Sequence, residues 1–245
     1  MRNKSHFSLL KALWQIKFIT PKGLFTWGKA IHSEGVSLMA LLRFSAETYP
    51  DKKALNSEGE ELTYRQLLEQ AYALASHLQH KYVITEGSKV ALLCRNHTQA
   101  VLSIFAVSRL GAHLYLLNSD LSAQQLSDLS SKNKGYQLWI TDSDLPFVEG
   151  RVVTTEELTT LPSTSHATLP KVARGGMISV LSGGSSGHYT EASRKPSTTA
   201  FLPPLLALLR QIGIHRHQSV YIPLPLFHGF GLATLLISLA MGKQI

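Results

Sequence analysis

Residues 89–117 decide the fold of this chain and read KVALLCRNHTQAVLSIFAVSRLGAHLYLL. The apolar run Lys89–Cys94 has the length and composition of a buried strand, and His97–Arg109 follows it as an apolar helix. Gly111 is placed to cap that helix, and His113–Leu117 is a second apolar strand. Because strand, helix and strand follow one another at these lengths, the two strands are predicted to pair in parallel through a right-handed crossover.

The same alternation extends in both directions along the chain. Thr63 and Gln66 have the spacing of a capping box that starts a helix over Tyr64–His80. The other predicted elements are a helix over Ser37–Thr48, a hairpin joining Ala54–Leu55 to Glu61–Leu62, a helix over Ser122–Lys132, and strands at Tyr136–Thr141 and Met177–Leu181. The sequence therefore predicts an α/β fold with a doubly wound, mostly parallel sheet flanked by helices.

A linker is predicted at Leu161–Lys171, where proline, serine and threonine are frequent. It divides the chain into a basic N-terminal segment (residues 1–36), a first α/β subdomain (37–160) and the start of a second α/β subdomain (171–245).

The charge of the chain favours an anionic partner. Lysine and arginine number 24 against 16 acids, a formal net charge of +8, and the first 33 residues hold bases but no acid. Basic and aromatic residues do not alternate as they do in a groove for single-stranded nucleic acid, so no nucleic-acid partner is predicted. Cys94, the single cysteine, is expected to be an inert core thiol in a reducing compartment.

No stretch reaches the roughly 20 apolar residues that a membrane-spanning helix needs, and the start lacks the cleavage site of a signal peptide. Residues 7–19 have a helical period that places Phe7, Leu10 and Trp14 on one side. Such a basic amphipathic helix packs on its own domain or lies on an anionic lipid surface. We expect a cytoplasmic protein with a peripheral membrane contact through residues 7–19.

The loop Ser182–Thr190 follows a buried strand and contains three glycines and three serines. Glycines allow consecutive amides to face one ligand, so the loop is a candidate for binding polyphosphate; a flexible surface turn is the alternative. His188 after Gly187 excludes a Walker loop, which needs lysine there. Residues 183–187 also fit the G-x-S-x-G motif of serine hydrolases, but Glu191 is the last acid of the chain and lies too near Ser185 to complete a triad.

Residues 221–232 read YIPLPLFHGFGL. The two prolines end a short strand, and His228 with two glycines opens an apolar helix. A histidine at this junction, beside Phe227, would face the mouth of a pocket; a core histidine bonded to backbone is the alternative.

Together these two stretches resemble the AMP-forming acyl-CoA synthetases, or adenylate-forming ligases. Ser182–Gly187 fall on the family's phosphate loop T-S-G-[ST]-[ST]-G, and Pro225, His228 and Gly231 fall on its later P-x-x-H-x-x-G. Two weaker matches lie upstream, at Leu62–Leu67 (LTYRQL, against LTYxEL) and at Leu110–Asn118 (against LGA…LN).

The resemblance implies that a carboxylic acid, expected to be a fatty acid, reacts with ATP to give an acyl-adenylate, from which coenzyme A then displaces AMP. ATP, Mg²⁺ and coenzyme A are the implied cofactors, and a small-molecule acid and a nucleotide are the implied partners. The residues implied to hold the phosphates are Ser182, Gly183, Gly184, Ser185, Ser186, Gly187 and Thr190. Those implied to border the acyl group are Phe227, His228 and Gly231.

The sequence also departs from the family. Tyr189-Thr190-Glu191 stand where the family has Pro-Lys-Gly, so the cation beside the phosphates is missing. The family's later Mg²⁺-binding segment and its C-terminal catalytic domain have no counterpart, and no Mg²⁺ ligand follows Glu191. We therefore expect the N-terminal part of an acyl-CoA synthetase, truncated or degenerate, that cannot complete turnover alone. A non-catalytic nucleotide- or acyl-binding module at a membrane surface is the alternative, and a serine hydrolase is a weaker one.

Overall fold

The computed structural model describes residues 13–14, 17, 19–57, 59–132, 135–159, 169, 175–183, 189–194 and 213–245. The helices of this part of the chain are α1 (Pro21–Glu34), α2 (Leu38–Thr48), α3 (Tyr64–Tyr82), α4 (Thr98–Arg109), α5 (Ala123–Lys132), α6 (Thr155–Thr159) and α7 (Gly229–Ala240). Its strands are β1 (Lys53–Ser57), β2 (Glu60–Thr63), β3 (Lys89–Leu93), β4 (His113–Leu116), β5 (Leu138–Thr141), β6 (Arg151–Thr154), β7 (Ile178–Gly183) and β8 (Tyr189–Arg194).

Strands β3 to β8 form one sheet in the order β6-β5-β3-β4-β7-β8. The first five of these strands pair in parallel, and β8 runs antiparallel to β7 at one edge. Helix α4 connects β3 to β4, and the chain then crosses to the other side of β3 to form β5. The predicted mostly parallel, doubly wound sheet is confirmed. In open sheets of this kind, ligands bind at the carboxyl ends of the strands.

The β1–β2 hairpin and its helix also form as predicted. Gly59 occupies the turn with a φ of +86°, a conformation that glycine adopts without strain. Thr63 Oγ1 accepts a hydrogen bond from Gln66 N at 3.2 Å, and Gln66 Oε1 accepts one from Thr63 N at 2.9 Å. This capping box begins α3, which continues to Tyr82 and is two residues longer than predicted.

The sequence did not predict four of these helices and strands: α1, α6, β6 and β8. Helix α1 lies in the basic segment 1–36, where a helix was predicted only over residues 7–19, and Thr20 caps it by accepting a hydrogen bond from Gly23 N at 3.0 Å. Strand β8 is polar, with the sequence YTEASR, and has no apolar alternation to mark it. Its pairing with β7 shortens the predicted loop Ser182–Thr190.

The predicted linker Leu161–Lys171 lies outside the described residues except for Leu169. After it, β7 pairs with β4, so the chain beyond the linker adds strands to the sheet formed before it. The division into subdomains at this point stays a prediction. Most of the predicted amphipathic segment 7–19 also lies outside the described residues, and none of the described helices is long and apolar enough to cross a membrane.

A buried ion pair ties together the helices on one side of the sheet. Glu34, at the end of α1, is 2% exposed and accepts hydrogen bonds from Arg43 at 2.6 Å and from the Tyr72 hydroxyl at 2.7 Å. The second carboxylate oxygen of Glu34 lies 2.8 Å from Nε of Arg109, which is 6% exposed. These two groups form an ion pair, but their geometry does not meet the criteria of a hydrogen bond. One carboxylate thus joins α1, α2, α3 and α4.

Candidate functional site

The predicted phosphate loop is the tip of the β7–β8 hairpin. Ser182 pairs with Thr190, and Gly183 pairs with Tyr189, in an antiparallel ladder. Ser182, Gly183 and Thr190, which were predicted to bind phosphate from a loop, therefore lie in the paired stem of the hairpin. The remaining predicted ligands, Gly184, Ser185, Ser186 and Gly187, lie outside the described residues. Their role stays a prediction.

The hairpin argues against the serine hydrolase alternative. A nucleophile elbow requires the strand before the serine to turn sharply into a helix. In this structure β7 is followed by the antiparallel strand β8. Ser185 therefore lies between two paired strands, and the G-x-S-x-G match is not an elbow.

The end of β7, from which the hairpin tip follows, lies at the carboxyl edge of the sheet. Strand β7 is parallel to β4, which is parallel to β3, so the residues that follow these three strands lie along the same edge. Strands in a sheet are about 4.8 Å apart, which places the end of β7 about 10 Å from the end of β3. At the end of β3 stand Arg95, Asn96 and His97.

Asn96 holds the second predicted segment at this edge. Its side-chain oxygen accepts a hydrogen bond from Leu226 N at 2.9 Å, and its side-chain nitrogen donates to the carbonyl oxygen of Leu224 at 2.9 Å. Both contacts reach across about 130 residues of sequence. The segment that carries Pro225 and leads to His228 is thus attached to the carboxyl end of β3. This role of Asn96 has no signal in the sequence, because the backbone groups that it bonds lie about 130 residues away.

The three predicted acyl-pocket residues lie in different surroundings. Phe227 is buried and packs into the main hydrophobic core, with its ring 4.6 Å from that of His228. His228 is exposed and precedes α7, and its side chain makes no capping hydrogen bond. Gly231 is buried so closely that a Cβ there would come within 2.4 Å of the Pro225 carbonyl oxygen. A side chain at this position would push α7 away from the segment that Asn96 holds.

Two cavities adjoin this segment. One of about 290 Å³ is lined by Tyr221, Leu224, Phe230 and Gly231 and is mostly apolar. The other, of about 460 Å³, lies at the ends of β3 and β4 and is lined by residues that include Asn96, Ser119, Tyr221 and Pro225. Gly231 lines the first cavity, whereas His228 is not among the described residues that line either cavity.

Cys94, His97 and Asp142 place possible metal ligands within 4.8 Å of one another at the ends of β3 and β5. The Asp142 carboxylate accepts hydrogen bonds from His97 Nε2 at 2.7 Å, from Arg95 N at 2.8 Å and from Thr155 Oγ1 at 3.1 Å. His97 uses its other ring nitrogen to accept from Ala100 N at 3.3 Å, which caps α4. With both ring nitrogens and the carboxylate engaged, this cluster is a hydrogen-bond network.

The cluster does not fit Mg²⁺, which prefers carboxylate, phosphate and water oxygens. Burial raises the pKa of the Cys94 thiol well above its usual range, so the thiol stays protonated, as expected for an inert core cysteine. For Asp142, burial works to raise the pKa, but the hydrogen bonds from Arg95 N and from His97 outweigh it and hold that pKa below its usual range. The Asp142 carboxylate is therefore charged and stabilises the turn after β3.

The model of the family of AMP-binding enzymes matches residues 42–202, about two thirds of the chain. The chain belongs to this family. The predicted resemblance to adenylate-forming ligases is thereby confirmed, and it includes the β7–β8 hairpin.

Among curated relatives, a 2-succinylbenzoate–CoA ligase of Oceanobacillus iheyensis is 29% identical over 209 residues, which cover 82% of this chain and 42% of the relative. A ligase of the same name from Bacillus licheniformis is 26% identical over 212 residues, covering 83% of this chain and 43% of the relative. The chain thus spans less than half the length of these relatives.

Solved structures show the same fold. The O-succinylbenzoate coenzyme A synthetase of Bacillus subtilis, in complex with ATP and magnesium ion, superposes with a TM-score of 0.68 at 23% identity, over 83% of this chain and 55% of that one. VinN in complex with L-aspartate superposes with a TM-score of 0.74 at 18% identity, over 86% of this chain and 57% of that one. The N-terminal subdomain of NpsA from Klebsiella oxytoca gives a TM-score of 0.70 at 17% identity, over 85% and 52%.

Proposed function

We propose that this chain carries the ATP-phosphate site and part of the acyl site of an acid–CoA ligase. The tip of the β7–β8 hairpin would hold the phosphates of ATP through its backbone amides and through the hydroxyls of Ser185 and Ser186. A carboxylate would then attack the α-phosphate, releasing pyrophosphate, and a thiol would displace AMP from the acyl-adenylate. Positioning and charge neutralisation supply most of the catalysis in chemistry of this type.

The observation that carries this proposal is the common edge of the two segments. The hairpin tip follows β7, and the Leu224–Leu226 segment is tied by Asn96 to the end of β3, two strands away in the same sheet. A nucleotide at the tip and an acyl group beside α7 would meet along this edge. The cavity of about 460 Å³ at the ends of β3 and β4, which Tyr221 and Pro225 also line, provides space at this edge.

The acid is a further part of the proposal. The curated relatives named above are 2-succinylbenzoate–CoA ligases, which favours an aromatic carboxylic acid over the fatty acid expected from the sequence. The cavity of about 290 Å³ beside Tyr221 and Phe230 has a size and an apolar character that suit a single ring. Binding of 2-succinylbenzoate, octanoate and palmitate to the chain would distinguish the two classes.

Mg²⁺ and coenzyme A are proposed cofactors of the complete reaction. Mg²⁺ would neutralise charge on the ATP phosphates, where this chain lacks the family's lysine. Among the described residues, no cluster fits the ion. We also propose a cytoplasmic site of action, which the single, buried thiol of Cys94 supports, and a peripheral membrane contact, which the exposed Trp14 within residues 7–19 supports.

Isothermal titration with ATP tests the phosphate site. The wild-type chain should bind ATP, and the double variant Ser185→Ala/Ser186→Ala should bind about tenfold more weakly, because it loses two hydroxyl donors to a charged ligand. Ser131→Ala, which changes an exposed serine on α5, is the matched control and should bind as the wild type does. Absence of heat at millimolar ATP, or equal affinity in the double variant, would contradict the site.

The same titrations separate a ligase part from a non-catalytic binding module. In a ligase, the carboxylic acid and ATP bind next to each other at one edge of the sheet. A carboxylic acid of the panel should therefore either raise the affinity of the chain for ATP or react with ATP and release pyrophosphate. ATP binding that is indifferent to every acid of the panel would favour the binding module.

A further inference from the structure

Helix α1 and the turn before it expose large apolar side chains on the outside of the molecule. Phe25 is 75% exposed, and Leu24 and Trp14 are each 56% exposed. Single apolar residues on a surface are ordinary, but these three belong to one short segment. We call Trp14, Lys22, Leu24 and Phe25 the α1 outer surface.

The opposite face of α1 is fixed against α2, so Phe25 cannot simply turn inward. Gly23 and Ala30 are buried, and the ring of Trp27 meets that of Phe44 edge-on at 5.2 Å. Ala30 and Phe44 form part of one apolar cluster between the two helices. Because residues three or four positions apart share a helix face, this packing directs Phe25 away from the core.

The turn that carries Trp14 is seated on the first turn of α1. Lys17 N donates to the carbonyl oxygen of Trp14 at 2.9 Å, and the Lys17 carbonyl oxygen accepts from Thr20 Oγ1 at 3.0 Å. A Cβ at Gly23 would lie only 1.7 Å from that carbonyl oxygen, so glycine permits the contact. The tryptophan is thus held beside the helix that exposes Leu24 and Phe25.

The uncompensated charge on this surface is positive. The first 33 residues contain no acid. Lys29 pairs with Glu47 at 3.3 Å, whereas among the described residues no acid pairs with Lys17 or Lys22. Lys17 instead lies 5.4 Å from the centre of the Tyr49 ring. An uncompensated lysine beside exposed aromatic and aliphatic groups is complementary to an anionic surface that has an apolar interior.

We propose that the α1 outer surface binds an anionic phospholipid bilayer. Phe25, Leu24 and Trp14 enter the boundary between headgroups and acyl chains, and Lys22 faces the phosphates. The proposal is independent of the ATP site, because the residues of the α1 outer surface are distinct from those of the hairpin and of the Asn96-held segment. It extends the predicted contact of residues 7–19 to the well-packed helix α1.

Co-sedimentation of the full chain with vesicles tests the proposal. The chain should pellet with vesicles of phosphatidylcholine and phosphatidylglycerol in equal amounts, and should bind vesicles of phosphatidylcholine alone much more weakly. Leu24→Ser/Phe25→Ser should reduce binding about tenfold or more through the lost apolar burial. Lys22→Gln should reduce binding about fivefold, and added salt should weaken the binding of the wild-type chain.

Phe147→Ser is the matched control, because Phe147 is an exposed aromatic residue, 39% accessible, in the loop between β5 and β6. It should bind anionic vesicles as the wild type does. All variants alter exposed groups, so their thermal unfolding should match that of the wild type. Equal binding to neutral and anionic vesicles, or unchanged binding of Leu24→Ser/Phe25→Ser, would overturn the proposal. Self-association that these changes abolish without vesicles would assign the surface to a second copy instead.

Tryptophan fluorescence gives an independent measurement. Trp139 is fully buried and Trp27 is packed between α1 and α2, so Trp14 is placed to report on the lipid. Anionic vesicles should shift the emission to shorter wavelength, and Trp14→Phe should abolish the shift. A shift that persists in Trp14→Phe would contradict insertion of this side chain.

Discussion

At the scale of the residue, Glu34 is the charged group whose substitution we expect to lower the free energy of unfolding the most. Its carboxylate is almost completely buried and compensates Arg43 and Arg109, while Glu47 pairs with the same Arg43 at the surface, where it is 28% exposed. Removing one partner of a buried ion pair leaves an uncompensated charge, whereas a surface pair contributes little. The two glutamates therefore form a natural comparison.

Glu34→Gln should lower the free energy of unfolding by about 3 kcal/mol, because the buried Arg109 loses its countercharge. Glu47→Gln should lower it by less than about 1 kcal/mol. Urea unfolding followed by circular dichroism measures both values. Similar losses in the two variants would show that burial of Glu34 does not govern the stability of the helical layer.

Asp142 gives the chain a pH dependence in acid. Since the folded protein holds the pKa of Asp142 below its usual range, the unfolded chain takes up the proton first as the pH falls. The stabilisation is present above the pKa of an unfolded aspartate, about 4, and is lost as the pH falls through the folded value. Melting temperatures between neutral pH and acid should thus fall less steeply in Asp142→Asn than in the wild type.

Asp51→Asn is the control for this measurement, because the Asp51 side chain is 86% exposed in its pair with Arg65. It should change the melting temperature little at any pH. If Asp142→Asn retained the full acid sensitivity of the wild type, the hydrogen bonds from Arg95 and His97 would not be its source.

At the scale of the element, α7 depends on a close approach that one glycine allows. Gly231 leaves no space for a Cβ beside the Pro225 carbonyl oxygen, whereas Gly229, two residues earlier in the same helix, has nothing within 4 Å of where a Cβ would stand. Packing therefore restricts the residue at position 231, whereas only helix propensity restricts the residue at position 229.

Gly231→Ala should destabilise the chain by about 2 kcal/mol, because α7 must move away from the Asn96-held segment. Gly229→Ala should be neutral or stabilising by up to about 1 kcal/mol. Thermal unfolding of both variants checks the contrast. Equal effects would show that the contact between Gly231 and Pro225 does not fix the helix.

The elements also show how far the sequence could predict this structure. Strands β3, β4 and β5 and helices α3 and α4 were predictable because their apolar spacing and caps, such as Thr63 with Gln66, are local signals. Strand β8 was not, because polar residues enter a sheet only through their partner strand. The role of Asn96 was hidden for the same reason, since it depends on backbone groups about 130 residues away.

At the scale of the whole molecule, one parallel sheet brings the end of β7, from which the hairpin tip follows, and the Asn96-held segment to a common edge. The sequence predicted that a ligand loop follows the strand now seen as β7, but it held no signal for the attachment of the second segment to the end of β3. The sequence did not predict that Ser182, Gly183 and Thr190 would lie in the hairpin stem. The central claim therefore concerns the tip, residues 184–188.

The most direct test of that claim is the amide spectrum of the isotope-labelled chain during titration with ATP. We predict that the amide signals of residues 184–188 shift the most, that those of the stem shift less, and that those of α5 stay in place. The largest shifts at Arg95–Thr98, or no shift at the hairpin tip, would contradict the account.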